Sequence, residues 1–164
     1  MKNLLFPILL FFTLVPVSAQ DSVEELLKKY NTGSVSYISV EQLRMKQLKD
    51  EVILLDTRSA EEFEVSHIED ALLVGYDDFD LYRLPNISKD KNIIVYCSLG
   101  IRSEQIGEKL KKAGFENVQN LFGGIFEWKN TGFPVVDKEG EPTEKVHAYS
   151  KQWAKWLKNG EKIY

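Results

Sequence analysis

Cys97 is the only cysteine of the 164-residue chain, and its neighbours place it where a thiol becomes reactive. It follows Asn92-Ile93-Ile94-Val95-Tyr96, a short apolar run that reads as a buried strand. After it a helical pattern begins, with Ile106, Leu110 and Ala113 on one face and Gly114 at the end. The thiol thus falls at a strand–loop–helix junction, where unpaired backbone N–H groups and the helix dipole favour an anion. An unperturbed thiol, with a pKa of about 8.5, is only about 3% thiolate at pH 7, and lowering that pKa by two units takes roughly 2.7 kcal/mol. Loop N–H groups, the helix N-terminus and the Arg102 guanidinium can supply it between them.

The other polar residues of this region follow from the same chemistry. Gly100 permits positive φ and close approach of the backbone to an anion. Arg102 stands in the first turn of the helix, where the dipole mildly disfavours a cation, which favours a role toward an anion over a plain surface position. Ser103 either caps the helix or donates to the anion. Asp56 and Arg58 follow the carboxyl end of another strand, where parallel sheets place their sites. An Arg58–Glu62 ion pair at helical spacing, with Asp56 structural, is the expected arrangement there. His67 reads as a helix-end residue whose ring bonds a nearby carbonyl, not as a general base. His147 belongs to no motif. One cysteine and two scattered histidines make no metal cluster of the usual spacing.

The elements that must position these groups alternate. Ser22-Val23-Glu24-Glu25 is a capping box that opens a helix to about Tyr30. Val35 to Ile38 reads as a strand, and Ser39 caps a helix to about Leu48. Glu51 to Leu55 is a second strand and residues 60–65 a short helix. Ala71 to Val74 is a third strand, residues 76–84 a helix, and Val118 to Leu121 the last strand before a turn at Gly123-Gly124. Strands that are apolar throughout suit a parallel sheet covered on both faces. The pattern predicts an α/β domain with a mainly parallel sheet. A final helix is expected over residues 149–158. Its aromatic stripe of Tyr149, Trp153, Trp156 and Leu157 is expected to pack on the same domain, in preference to a membrane surface or a partner.

Lys2, the apolar stretch Leu4 to Val15 and the small residues Val17-Ser18-Ala19 before Gln20 read as a secretory signal covering residues 1–19. The stretch is short for a transmembrane helix, and no cysteine near the cleavage point supports a lipoprotein anchor. Export to a periplasm, or secretion, is the expectation. The net charge of −4, with no long basic cluster, argues against nucleic acid as partner. Exported proteins usually pair their cysteines; a single one forms no internal disulfide and is a liability unless it is used.

Three blocks together resemble the rhodanese family of single-domain sulfurtransferases. The first is Leu55-Asp56-Thr57-Arg58 with Glu62-Phe63, His67-Ile68 and Ala71. The second is Cys97-Ser98-Leu99-Gly100-Ile101-Arg102-Ser103, similar to C-x-x-G-x-R-S. The third is Leu121-Phe122-Gly123-Gly124-Ile125 with Trp128 and Gly132-Phe133-Pro134-Val135. They stand in family order across residues 35–136, preceded by an N-terminal helix and linker at 20–34 and followed by an extension at 137–164. The resemblance implies a three-layer domain whose central, mainly parallel five-stranded sheet is flanked by helices.

The resemblance further implies sulfur transfer through a persulfide on Cys97, with Arg102 as the second catalytic residue. Ser98, Leu99, Gly100, Ile101 and Ser103 would form the anion-binding loop, and Asp56 and Arg58 would support it, the family's corresponding aspartate lying near the loop. No metal or organic cofactor is called for. The partners implied are a small sulfur donor such as thiosulfate and a thiol acceptor from outside a monomeric chain. Ser66 departs from the family by standing where glycine is usual; a left-handed conformation there would cost about 1 kcal/mol. Cysteine phosphatases use C-x5-R, one residue longer than Cys97 to Arg102, so phosphatase chemistry is disfavoured. A non-catalytic module that uses Cys97 as a redox-sensitive thiol is the alternative.

Overall fold

The computed structural model of the protein describes residues 22–84 and 86–164. The expected leader, residues 1–19, lies outside the described residues. In chain order the elements are α1 (Val23–Tyr30), β1 (Ser36–Ile38), α2 (Val40–Gln47), β2 (Ile53–Asp56), α3 (Ala60–Val65), β3 (Leu72–Leu73), β4 (Asn92–Tyr96), α4 (Ile101–Lys112), β5 (Asn117–Leu121), α5 (Gly124–Asn130), β6 (Val135–Val136), β7 (Pro142–Thr143), β8 (Lys145–His147) and β9 (Glu161–Ile163). The first three helices open on full capping boxes, Ser22 with Glu25, Ser39 with Gln42 and Ser59 with Glu62. Each serine accepts from the amide three residues on while that residue's side chain returns to the serine N–H, so two orphan donors are satisfied locally.

Five strands form one sheet in the order β1-β5-β4-β2-β3, and every pairing is parallel. β4 lies at its centre, with Val95 opposite Leu55 of β2 and Asn120 of β5. Its side chains alternate between two cores. Ile94 and Tyr96 pack with Leu43 of α2 and with Ile125 and Trp128 of α5, while Ile93 and Val95 pack with Ile106 and Leu110 of α4. Helices cover both faces, which is why β4 is apolar at consecutive positions and not at alternate ones. Parallel pairing also brings the carboxyl ends of β2, β4 and β5 to one edge, where their loops meet. Among the described residues, no helix is long and apolar enough to cross a membrane.

Two local expectations are corrected, and the condition attached to Ser66 is not met. Residues 76–84 form no α-helix; they contain a single 3-10 turn at Leu81–Arg83, capped by Asp80, and Leu84 is already extended at ψ 143°. The residue before a proline is pushed out of the helical region, and Pro85 follows immediately.

The helix expected over 149–158 is replaced by turns, a 3-10 turn at Ala154–Trp156 and then β9, which pairs in parallel with β8. Tyr149 starts this segment at φ 63°. Asn130 then holds its far end, donating to the Trp156 carbonyl at 2.9 Å and accepting from the Lys158 amide at 2.7 Å. Trp156 and Leu157 are nonetheless buried in the domain core. Finally, Ser66 is extended, at φ −171°, so no left-handed strain arises there; Asp70 carries the positive φ of this turn, at 63°.

Candidate active site

Cys97 leaves the central strand at the carboxyl edge of the sheet and is 2% exposed. The Gly100 amide donates to its sulfur at 3.1 Å, and the Ser103 hydroxyl lies 3.6 Å from it. Gly100 makes this contact at φ 107°, a conformation open to glycine and strained for other residues. A Cβ there would also meet the Leu121 carbonyl at 3.2 Å. The Gly100 carbonyl is fixed in turn by two asparagines, Asn31 of the α1–β1 turn at 2.9 Å and Asn120 of β5 at 2.8 Å.

The rest of the loop is held from α5. The Ile125 and Phe126 amides donate to the Cys97 and Ser98 carbonyls at 2.9 and 3.2 Å. In trans peptides this turns the Ser98 and Leu99 N–H groups to the side away from α5. Gly124 makes the approach possible: its φ is 55°, and a Cβ on it would stand 2.2 Å from the Cys97 oxygen. The Leu99 side chain is anchored in the core, and Ile101 opens α4 half-buried.

Arg102 is bound by a carboxylate from another element. Its two terminal nitrogens reach Glu62 of α3 at 2.7 and 2.8 Å, and one of them also donates to the Ser98 hydroxyl at 3.0 Å. That hydroxyl donates to Glu62 at 3.0 Å, which closes a triangle of three side chains. The Tyr149 ring lies 4.7 Å from the Arg102 guanidinium. With both terminal nitrogens engaged, Arg102 acts on the sulfur through its charge.

The electrostatics follow from this geometry. Burial pushes the Cys97 thiol up, but the Arg102 charge, the Ser103 amide and hydroxyl and the Gly100 amide outweigh it, and the net shift is downward. Burial also raises Glu62, yet Arg102, Arg58 and the Ser59 amide hold its carboxyl at about 2. The Arg102 guanidinium is pushed above its ordinary range, burial being outweighed by Glu62 and by the Cys97 thiolate.

The expected Arg58–Glu62 ion pair is not what forms. Arg58 turns back onto Asp56, with contacts of 2.6 to 3.1 Å, and donates to the Ser66 carbonyl at 2.7 Å. Both residues are fully buried. Asp56 also accepts from the Arg58 amide at 3.0 Å, so the pair closes on itself two residues apart and Glu62 is free for Arg102. Ser103 does not cap α4, whose N-cap is Gly100 without a side-chain bond; its hydroxyl reaches Asn120 at 2.8 Å. His67 bonds the Phe63 carbonyl at 3.1 Å and stacks on the Phe63 ring.

Five residues that sequence reasoning did not assign to the site therefore shape it: Glu62, Asn31, Asn120, Gly124 and Tyr149. The first had a visible signal, its place in a capping box, which pointed to its own helix. The Gly123-Gly124 pair read as a turn, and Asn31, Asn120 and Tyr149 carried no signal toward Cys97.

Above the sulfur lies a cavity of about 140 Å³ lined by Cys97, Ser98, Leu99, Ile101, Arg102, Tyr149 and Trp153. A larger cleft of about 350 Å³ beside Leu72 and Asp78 does not have Cys97 in its lining. A buried, charge-stabilised thiol beneath a small cavity can attack an electrophilic sulfur and hold the resulting anion in the same donors.

Comparison with known proteins bears on this geometry. A family model described as the Rhodanese-like domain matches residues 39–131. A sulfurtransferase from Allochromatium vinosum is 36% identical over 91 residues, which is 56% of this chain and 84% of that protein. A tRNA uridine(34) hydroxylase from Photorhabdus laumondii is 35% identical over 122 residues, 68% of this chain; the chain spans about a third (34%) of that protein's length. Among solved structures, a rhodanese-like domain protein from Staphylococcus aureus superposes with a TM-score of 0.55 at 27% identity, over 63% of this chain and 99% of that one. A Bacillus halodurans protein shares the fold at a TM-score of 0.59 and 24% identity, over 73% of this chain and 89% of its own.

Proposed function

The chain belongs to the rhodanese-like domain family, and from that premise we propose that it is a sulfurtransferase working through a persulfide on Cys97. The observation that carries the reading is the set of donors converging on one sulfur: the Gly100 amide at 3.1 Å, the Ser103 hydroxyl at 3.6 Å and the charge of Arg102. They lower the thiol pKa, and the same donors serve the terminal sulfur of a persulfide anion.

In the first step the Cys97 thiolate attacks the outer sulfur of a donor such as thiosulfate. A Cys97 S–S bond forms, the donor's S–S bond breaks, and sulfite leaves with the electron pair. In the second step a thiolate or cyanide attacks the outer sulfur of the persulfide and the Cys97 thiolate is released. Both displacements balance without a cofactor. Cys97 is the only cysteine, so the acceptor comes from outside the chain. The apolar segment within residues 1–19 supports export, with a periplasm as the place of action.

The test is thiocyanate formation from thiosulfate and cyanide, with intact-mass spectra before and after donor, on the chain and on Cys97→Ala. Turnover and a gain of one sulfur atom on Cys97, both lost in the variant, are expected. Neither turnover nor adduct with any sulfane-sulfur donor would defeat the reading in favour of a redox-sensing thiol.

A further inference from the structure

The roof of the Cys97 cavity comes from outside the matched domain. Tyr149 and Trp153 belong to the segment after β8, beyond residue 131 where the family match ends. Tyr149 is held at φ 63°, with its amide on His147 at 3.1 Å and its ring over Arg102. Trp153 is fixed edge-on against Tyr30 of α1, with ring centroids 6.3 Å apart. Leu99 and Ile101 complete the apolar lining.

The charge of the site is already balanced. Glu62 binds both terminal nitrogens of Arg102 from behind the cavity lining, so a second anion entering the cavity feels the carboxylate's charge as well as the guanidinium's. A dianion such as thiosulfate loses its hydration and gains little net attraction in exchange. A donor that carries an apolar group beside its sulfur gains contact with Tyr149 and Trp153 instead. Size agrees with this. A cavity of about 150 Å³ accommodates one benzene ring, and the space over Cys97 is about 140 Å³.

From the neutralised arginine and the aromatic roof we infer that Tyr149 and Trp153 are specificity-determining residues, and that the donor is an organic sulfane-sulfur compound with a single ring or short apolar group beside the transferred sulfur. The inference rests on the sulfur-transfer reading. With such a donor the Cys97 thiolate takes the outer sulfur, and the organic sulfinate or thiolate leaves with the electron pair.

Benzenethiosulfonate and thiosulfate are the probes. The ratio of their kcat/KM values in persulfide formation is measured for the chain, for Tyr149→Asn and for Trp153→Leu. Asparagine tolerates the left-handed backbone at 149, and leucine keeps apolar packing at 153. The ratio is expected to favour benzenethiosulfonate by about tenfold and to collapse toward unity in both variants. A merely structural defect lowers both donors alike and leaves the ratio intact.

Binding of the same two compounds to Cys97→Ser, read by isothermal titration calorimetry, separates the two possible failures. Equal affinities together with equal rates overturn the donor assignment while sulfur transfer stands, as does a ratio that survives both substitutions. Preferential binding of the aromatic compound without a persulfide on Cys97 from either donor overturns the sulfur-transfer reading, and the donor assignment with it.

Discussion

Glu62 and Arg102, forty residues apart in sequence, meet through two hydrogen bonds of 2.7 and 2.8 Å beside the Cys97 loop. The carboxylate comes from α3 and the guanidinium from the first turn of α4. Each does two jobs. Glu62 closes the capping box of its own helix and restrains Arg102, while Arg102 lowers the Cys97 thiol and holds the Ser98 hydroxyl. The site is thereby built from a strand–helix junction and tied to the neighbouring crossover.

The pair makes stability depend on acid. Glu62 is depressed from 4.5 to about 2 in the folded chain. Its contribution is therefore fully present above the unfolded value and is lost as pH falls from about 4.5 through 2; that depression corresponds to roughly 3 kcal/mol. Urea unfolding at a series of pH values is expected to show this loss. Glu62→Gln should be less stable at neutral pH and should lack that share of the acid slope. An identical slope in the variant would assign the acid sensitivity to other carboxylates.

Cys97 should titrate below the value of an unperturbed thiol. The rate of alkylation by iodoacetamide is expected to rise with pH through a midpoint under that value. Since an anion loses stabilisation when a nearby cation is removed, Arg102→Gln should move the midpoint upward. A midpoint that stays put would mean that the amides and the Ser103 hydroxyl hold the thiolate without the arginine.

Gly124→Ala tests how the loop is shaped. The new Cβ would sit 2.2 Å from the Cys97 carbonyl, on a residue at φ 55°. The substitution is expected to destabilise the chain by about 2 kcal/mol or more and to lower the melting temperature by several degrees. Persulfide formation should fall by at least about tenfold, because the loop carbonyls lose their donors on α5. Gly114→Ala is the control: its φ is also positive, at 91°, but its Cβ meets nothing within 4 Å, so backbone strain alone is expected there.

Much of the fold was legible in the chain itself. The runs at Ile53–Asp56, Asn92–Tyr96 and Asn117–Leu121 appeared as strands within one or two residues of their bounds. The first two are short and apolar at consecutive positions, and helical spacing follows at Ala60–Val65 and Ile101–Lys112. The Cys97 loop was equally plain, because the strand end, glycine, arginine and helix start lie within seven consecutive residues. Local signals misled in three places, one of them residues 76–84, where only a 3-10 turn forms ahead of Pro85. Helical periodicity at 149–158 lost to the β8–β9 pairing and to a left-handed Tyr149. Helical spacing from Arg58 to Glu62 lost to the closer Asp56.

By itself, then, the sequence determined the alternating α/β order, the capped helix starts and a lone thiol at the amino end of a helix, since all of these depend on neighbours within a few residues. Tertiary structure alone decided which acid restrains Arg102, which amides hold the Cys97 and Ser98 carbonyls, and that Tyr149 and Trp153 roof the thiol. These partners are 28 to 56 residues away in the chain. They come together only because the parallel sheet gathers its loops at one edge, and because burial leaves each charged or hydrogen-bonding group to find whichever partner the packing brings near.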